Sequence, residues 1–340
     1  MNENRKGIAL AGNILADVVK LVDTYPKKGM LATVTDISVA VGGCVPNTAI
    51  DIAKIDPTFP LTAIGKVGND ENGRFVVGKM KEHGINCDAV LVTDEKPTST
   101  SDVISSSDGE RTFFHMRGAN ALFCPEDINL SSLDCRILHI GYIFLLDLFD
   151  KEDAEFGTAM ARFLCEAQKL GIKTSIDVVS ESSGQFKAKL IPALKYCDYA
   201  ILNEIESSLV SDLEPYNENG SINLKNIENT MQIMANYGVK EKIIVHCKKA
   251  SFSWNVKTKT FTVVPSLNVP REEIKGSVGA GDAFCAASLY GIYNGYTDKK
   301  ILEFASCAAA CNLFSENSVD GMREKAEIDK MEAKYGWEEL

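Results

Sequence analysis

The 340-residue sequence predicts an α/β protein built on a doubly wound, mostly parallel sheet flanked by helices, with a small β-sheet lid beside it. Two observations carry that expectation. From Arg136 onward, apolar strand-like runs take turns with helical ones over short connections, the pattern of parallel strands joined by helical crossovers. Two earlier segments instead alternate in polarity, which suits strands exposed on one face and not a sheet covered on both.

The elements follow in order. "KGIALAGNILADVV" opens as a short apolar strand closed by a polar cluster, and "TVTDISVAVGG" alternates as a half-exposed strand. "VPNTAIDIAKI" reads as a helix and "LTAIGKVG" as a strand. "NDENGRFVVGKMKEHG" is a helix whose Gly84 suits a left-handed cap. "STSDVISSSDGERTFFHMRG" alternates on both sides of Asp108 and Gly109, the signature of a hairpin. Then come "RILHIGYIF", "GTAMARFLCEAQKLG", "KTSIDVV", "PALKYCDYAILN", "TMQIMANYG" and "KIIVHC" in strand and helix alternation. A second hairpin, "ASFSWNVKTKTFTVVP", and two helices starting near Ala280 and Asp298 close the series. With no repeat, low-complexity tract or linker, residues 1–340 read as one α/β domain, the lid being built from about 13–42 and 97–119.

Composition narrows the function class. A net charge of -11 argues against a general nucleic-acid binder, although it allows a local basic pocket. No apolar run reaches the length of a membrane span, and the N-terminus lacks a signal-peptide core, so the expectation is a cytoplasmic protein without membrane or nucleic-acid partners. The ten cysteines are scattered without a C-x-x-C pair and read as free thiols of a reducing compartment. The four histidines are equally dispersed, so no zinc is expected.

In a doubly wound sheet, ligands collect at the carboxyl ends of the strands. Polar residues interrupt the apolar pattern there at Asn13 with Asp17, at Gly42, Gly43 and Asn47, at Asp177, at Asn203 with Glu206, and in "GSVGAGDAF". Small residues at a helix start let backbone amides approach an anion, and the helix dipole favours negative charge. Asp282, set directly after Gly279, Ala280 and Gly281, would repel a resting phosphate unless it takes a proton from an alcohol attacking that phosphate. The alternative is a packing role for the small residues and an N-cap role for Asp282. No G-x-x-x-x-G-K-[ST] loop occurs, and "ALAGNILAD" lacks dinucleotide glycine spacing.

These motifs together resemble the ribokinase family, or PfkB carbohydrate kinases, over essentially residues 6 to 322. "GSVGAGD" is similar to the family's D-T-x-G-A-G-D signature, which implies Asp282 as catalytic base and Gly279, Ala280 and Gly281 as the anion hole. "GGCVPN" resembles the N-terminal signature and implies sugar contacts from Gly42, Gly43 and Asn47, with Asp17 gripping sugar hydroxyls. "LNEIE" is similar to the N-x-x-E element, which implies that Asn203 and Glu206 order Mg2+ through water beside ATP; Asn312 falls on the nucleotide side. Arg117 in "FFHMRGAN" resembles a lid arginine that reaches the acceptor, with His115 on the same strand face, and Asp177 implies a further acceptor contact.

The chain also departs from the pattern. Gly276 stands where an aspartate helps to build a monovalent-cation site, which leaves activation by K+ open. His246, Lys248 and Ala250 replace the usual residues in "VHCKKAS", and Val179 and Glu181 replace polar and basic positions in "DVVSE". Cys44 stands where ribokinases proper usually carry lysine, which points away from ribose. The resemblance thus implies ATP-dependent phosphorylation of the primary hydroxymethyl group of a sugar or sugar acid by a homodimer joined through its lid. A nucleoside kinase, with Phe113, Phe114 and Tyr142 as an aromatic wall, and a non-catalytic sugar- or nucleotide-sensing module are the alternatives.

Overall fold

A computed structural model describes residues 5–106, 111–180 and 184–340. The Asp108–Gly109 turn and Glu181 lie outside them.

The chain runs β1 (Ile8–Gly12), β2 (Leu15–Val22), β3 (Val34–Gly42), α1 (Cys44–Ile55), β4 (Leu61–Gly68), α2 (Glu71–Glu82), β5 (Asn86–Thr93), β6 (Ser99–Ser106) and β7 (Arg111–Met116). It continues through β8 (Ile137–Ile143), the two-residue strands β9 (Glu152–Asp153) and β10 (Gly157–Thr158), α3 (Ala159–Lys169), β11 (Lys173–Val178), α4 (Phe186–Leu194), β12 (Tyr199–Asn203), α5 (Glu204–Ser211) and α6 (Leu224–Asn236). It ends with β13 (Lys242–His246), β14 (Ala250–Asn255), β15 (Thr260–Pro265), α7 (Ala280–Tyr293), α8 (Asp298–Asn312), α9 (Lys325–Ile328) and α10 (Met331–Tyr335).

The main sheet has the order β15-β14-β13-β12-β11-β8-β1-β4-β5. From β5 to β13 every pairing is parallel, whereas β13, β14 and β15 pair antiparallel. The chain builds outward from β1 to β4 and β5, then returns to the other side of β1 with β8. This reversal makes β1 and β8 the switch point, beside which α/β sheets open a crevice. One apolar cluster covers one face of the sheet with α1, α7 and α8, and a second covers the other with α3, α4 and α6. The strands are accordingly apolar on both faces, as in "KIIVH" and "YAILN".

A separate four-stranded sheet has the order β3-β2-β6-β7. Its cross-strand register explains the alternating sequence. Asp17, Ala40, Ser101 and His115 form one row, and Val18, Val39, Asp102 and Phe114 form the next, on the opposite face. The strand β5 was not foreseen: it pairs with β4 at the sheet edge, and its exposed positions dilute the apolar signal. The short C-terminal helices were missed for the same reason, because they pack only part of their surface on α8.

Helix α7 is buried along nearly its whole length, which its small residues permit by letting α1 and α8 approach closely. Its start is set by Gly279, whose φ of 78° is left-handed and whose missing Cβ would lie 2.4 Å from the Ser318 carbonyl oxygen. Helix α1 begins the same way: Gly43, at φ 89°, passes so close to Asn13 that a Cβ would fall 2.5 Å from its carbonyl oxygen. Both helices therefore begin at the mouth of the crevice, where their first turns carry Asn47 and Asp282.

Candidate active site

Asp282 is buried in the first turn of α7. Its carboxylate accepts a hydrogen bond from Asn47 Nδ2 at 2.8 Å, across 235 residues of sequence, and from the Tyr142 hydroxyl at 3.0 Å to each oxygen. Burial pushes its pKa up to about 6, opposed by the Asn47 hydrogen bond. A carboxylate tuned to this range is ionised near neutral pH yet basic enough to accept a proton.

Tyr142 holds the centre together. It is the penultimate residue of β8, with a positive φ of 59°, uncommon for a bulky residue, and its backbone N–H donates to Asp177 Oδ1 at 2.6 Å. Asp177, near the end of β11, thus faces the same cavity as Asp282. That cavity has a volume of about 270 Å³ and is also bounded by Asn203, Glu206, His246 and Gly281.

A second cavity, of about 630 Å³, lies on the other side of the α7 start, between β13, β14 and α8. Ser306, Ala309 and Ala310 line it with small side chains, Phe284 supplies a ring, and Glu338 of the C-terminal segment closes one side. His246 and Gly281 border both cavities. Burial holds His246 down at about 4, so its imidazole is neutral, and its ring packs against Phe284 with centroids 4.7 Å apart and the planes tilted by 35°. The first-turn amides of a helix lack intrahelical acceptors. Here Ala280 donates to the Ser277 carbonyl at 3.3 Å, and Gly281 is the next amide towards the junction of the cavities.

Asn203 and Glu206 form a reciprocal cap on α5: Glu206 N–H donates to Asn203 Oδ1 at 2.8 Å, and Asn203 N–H to Glu206 Oε2 at 3.0 Å. Ser180 donates to Glu206 Oε1 at 3.0 Å. Burial pushes Glu206 up to about 7, which a nearby cation would reverse. An all-oxygen donor set beside the cavity that Asp177 and Asp282 share suits Mg2+, and the larger cavity at a helix N-terminus suits a nucleotide.

The remaining expected residues are distributed around this centre. Gly42 lies against Asp17, whose Oδ2 would be 2.5 Å from a Cβ placed there, and Gly43 sets the turn into α1. Asn312 is buried behind the α7 loop, where its Nδ2 donates to the Val278 carbonyl at 2.8 Å. Arg117 follows β7, with its guanidinium on Asp147 at 2.9 Å and on the Phe144 carbonyl at 2.9 Å, so an acceptor group has to compete for it. Cys44 is buried with its thiol towards the Asn13 carbonyl at 3.8 Å. All ten cysteines are free. No described helix is long and apolar enough to cross a membrane.

Sequence reasoning did not find the bonds from Tyr142 to the two carboxylates, nor His139, which is buried with Nε2 at 3.4 Å from Asp177 Oδ2. A histidine inside an apolar strand was the available signal.

Comparison with known proteins bears on the family and the fold. A family model described as "pfkB family carbohydrate kinase" matches residues 5–325. A ribokinase of Arabidopsis thaliana is 22% identical over 326 residues, covering 95% of this chain and 80% of the relative. A 5-dehydro-2-deoxygluconokinase of Geobacillus thermodenitrificans is 25% identical over 302 residues, covering 85% and 83%. The solved structure of Arabidopsis thaliana ribokinase with ribose and ATP superposes with a TM-score of 0.80 at 20% identity, covering 96% of this chain and 98% of that one, and so shares the fold.

Proposed function

We propose, from the premise that this chain belongs to the pfkB family of carbohydrate kinases, that it transfers the γ-phosphoryl group of ATP to the primary hydroxymethyl group of a sugar or sugar acid, with Asp282 as general base. The observation that carries this reading is the place of Asp282: buried, held by Asn47, and lining the smaller cavity directly after Gly281, which borders both cavities. The acceptor takes the smaller cavity, where Asp177 binds its hydroxyls, and Asp17 of the second sheet, which lies against Gly42, binds it from the lid side. Asp282 removes the proton of the attacking hydroxyl, and the Gly281 amide offsets charge that develops on the phosphoryl oxygens. Asn203 and Glu206 would hold Mg2+, which would supply charge neutralisation at the phosphates. The four-stranded sheet acts as a lid that excludes water and so suppresses ATP hydrolysis.

A sugar acid is favoured over ribose. Cys44 offers an acceptor no charged group, while Arg117 stands at the lid boundary with a fork suited to a carboxylate once Asp147 releases it. The outer face of the lid joins two copies in a dimer. No monovalent-cation requirement belongs to the proposal: at Gly276, which bonds the Leu313 carbonyl, a side chain would start 2.9 Å from the Ser315 carbonyl oxygen.

The test is ADP release from purified protein with ATP and Mg2+ across ketoses, aldoses, sugar acids and nucleosides, with and without K+. Turnover on sugar acids or ketoses is the expected result. Turnover confined to nucleosides would overturn the acceptor class, and ATP binding without turnover on any of them would favour a sensing module.

A further inference from the structure

Dispersed in sequence, His139, Asp177 and Cys285 are brought together by the fold beneath the acceptor cavity. They come from β8, β11 and α7, all three are buried, and one donor atom from each lies within 4.8 Å of the others. His139 Nε2 stands 3.4 Å from Asp177 Oδ2 and 3.7 Å from Cys285 Sγ. A tetrahedral zinc ion with ordinary bond lengths would separate nitrogen from oxygen by about 3.3 Å and nitrogen from sulfur by about 3.6 Å. The two spacings from nitrogen need only small adjustment to meet those values, while Asp177 and Cys285, whose donor atoms lie within 4.8 Å, have to close towards the oxygen–sulfur separation of about 3.6 Å that the same bond lengths require. We propose that His139 Nε2, Asp177 Oδ2 and Cys285 Sγ form a binding site for a thiophilic divalent cation of the Zn2+ class.

The surroundings support a cation. His139 Nδ1 lies 3.0 Å from the Ser175 hydroxyl, which fixes the ring and directs Nε2 at the other two donors. The adjoining cavity is bounded by the carboxylates of Asp177, Glu206 and Asp282, with no lysine or arginine among its described lining residues. Binding releases the Cys285 thiol proton to solvent and leaves the metal three protein ligands. Asp177 and Cys285 line the acceptor cavity, so the fourth position opens there. Since Asp177 Oδ1 already accepts the Tyr142 amide, ligation through Oδ2 withdraws this carboxylate from the acceptor. The cation therefore competes with acceptor binding, a consequence that rests on the acceptor role proposed for Asp177.

Binding is tested without ATP or acceptor, by titrating chelator-treated, reduced protein with Co2+. One Co2+ per chain is expected, with strong tetrahedral visible bands, a thiolate charge-transfer band in the near ultraviolet, and displacement of both by Zn2+. Cys285→Ser should remove the charge-transfer band, and both it and His139→Gln should weaken binding by about tenfold or more. The Cys307→Ser/Cys311→Ser pair should leave the spectrum unchanged. Absence of tetrahedral bands, or their persistence with the charge-transfer band in folded Cys285→Ser protein, overturns the site; if that variant does not fold, an unchanged spectrum in His139→Gln does so. Tight Co2+ binding that leaves the acceptor KM unchanged would instead remove Asp177 from the acceptor reading and leave the metal site standing.

Discussion

The hydroxyl of Tyr142 donates to both carboxylate oxygens of Asp282, at 3.0 Å each, while its own backbone amide holds Asp177. One residue at the end of β8 thus ties the proposed base to an acceptor-binding carboxylate. A hydrogen bond to an ionised carboxylate favours that form, so Tyr142 restrains the upward shift that burial gives Asp282.

Tyr142→Phe should therefore raise the Asp282 pKa and move the acid limb of kcat/KM to higher pH. A bond to a charged group is worth about 1.5–3 kcal/mol, and one pKa unit is about 1.4 kcal/mol, so a shift of about one unit is expected. The pH–rate profiles of the two proteins check this; an unmoved limb with unchanged folding would show that the hydroxyl does not act on the base.

Asp282→Asn keeps the size of the side chain and removes its basicity. Turnover should fall by about two to four orders of magnitude, while ATP and acceptor still bind in calorimetry. In the unmodified protein, kcat/KM should rise with pH through about 6 as Asp282 ionises and then level off. A profile flat across that range would assign proton removal to another group.

The sequence exposed those parts of the site that depend on local chain geometry. Asn203 and Glu206 cap a helix three residues apart, Gly43 and Gly279 sit at turns that need φ above zero, and Asp282 follows directly, so short patterns, and the family resemblance they carry, single them out as candidates. Tyr142 and His139 depend instead on how β8 meets α7 and β11 in space, across 140 residues for the Tyr142–Asp282 bond and 146 for the His139–Cys285 contact. No short pattern encodes such distances. Likewise, β5 hides because an edge strand buries too little to show a clean period.

The four-stranded sheet turns Asp17, Ser101 and His115 to one face and leaves Ile37 and Phe114 on the other, 60% and 58% exposed beside Val39 and Met116. Exposed apolar side chains gathered on one sheet face are a candidate interface. Lys20 pairs with Asp102 within this face, so its charge is neutralised there. The protein should run as a dimer in light scattering at micromolar concentration. Ile37→Lys with Phe114→Asp should give a folded monomer with weakened acceptor affinity, because the lid then loses its support. A monomeric parent protein would refute the interface.

Asp51 lies one helical turn beyond Asn47 in α1, fully buried, and neither carboxylate oxygen has a hydrogen-bond partner among the described residues. Burial, and then the charge of Asp282, push its pKa well above the ordinary carboxylate value. The folded state therefore binds this proton more tightly than the unfolded chain does. The stabilisation is complete below the unfolded pKa of about 3.9 and is lost as pH rises through the folded value. Asp51→Asn mimics the protonated form at every pH and removes this dependence. Its Tm should match that of the unmodified protein only below about pH 3.9 and exceed it increasingly as pH rises above that, with Asp282 and Glu206 still imposing their own decline in both proteins. Parallel Tm curves from pH 5 to 9 would mean that Asp51 carries a charge in the folded protein, stabilised by a cation or water between α1 and α7.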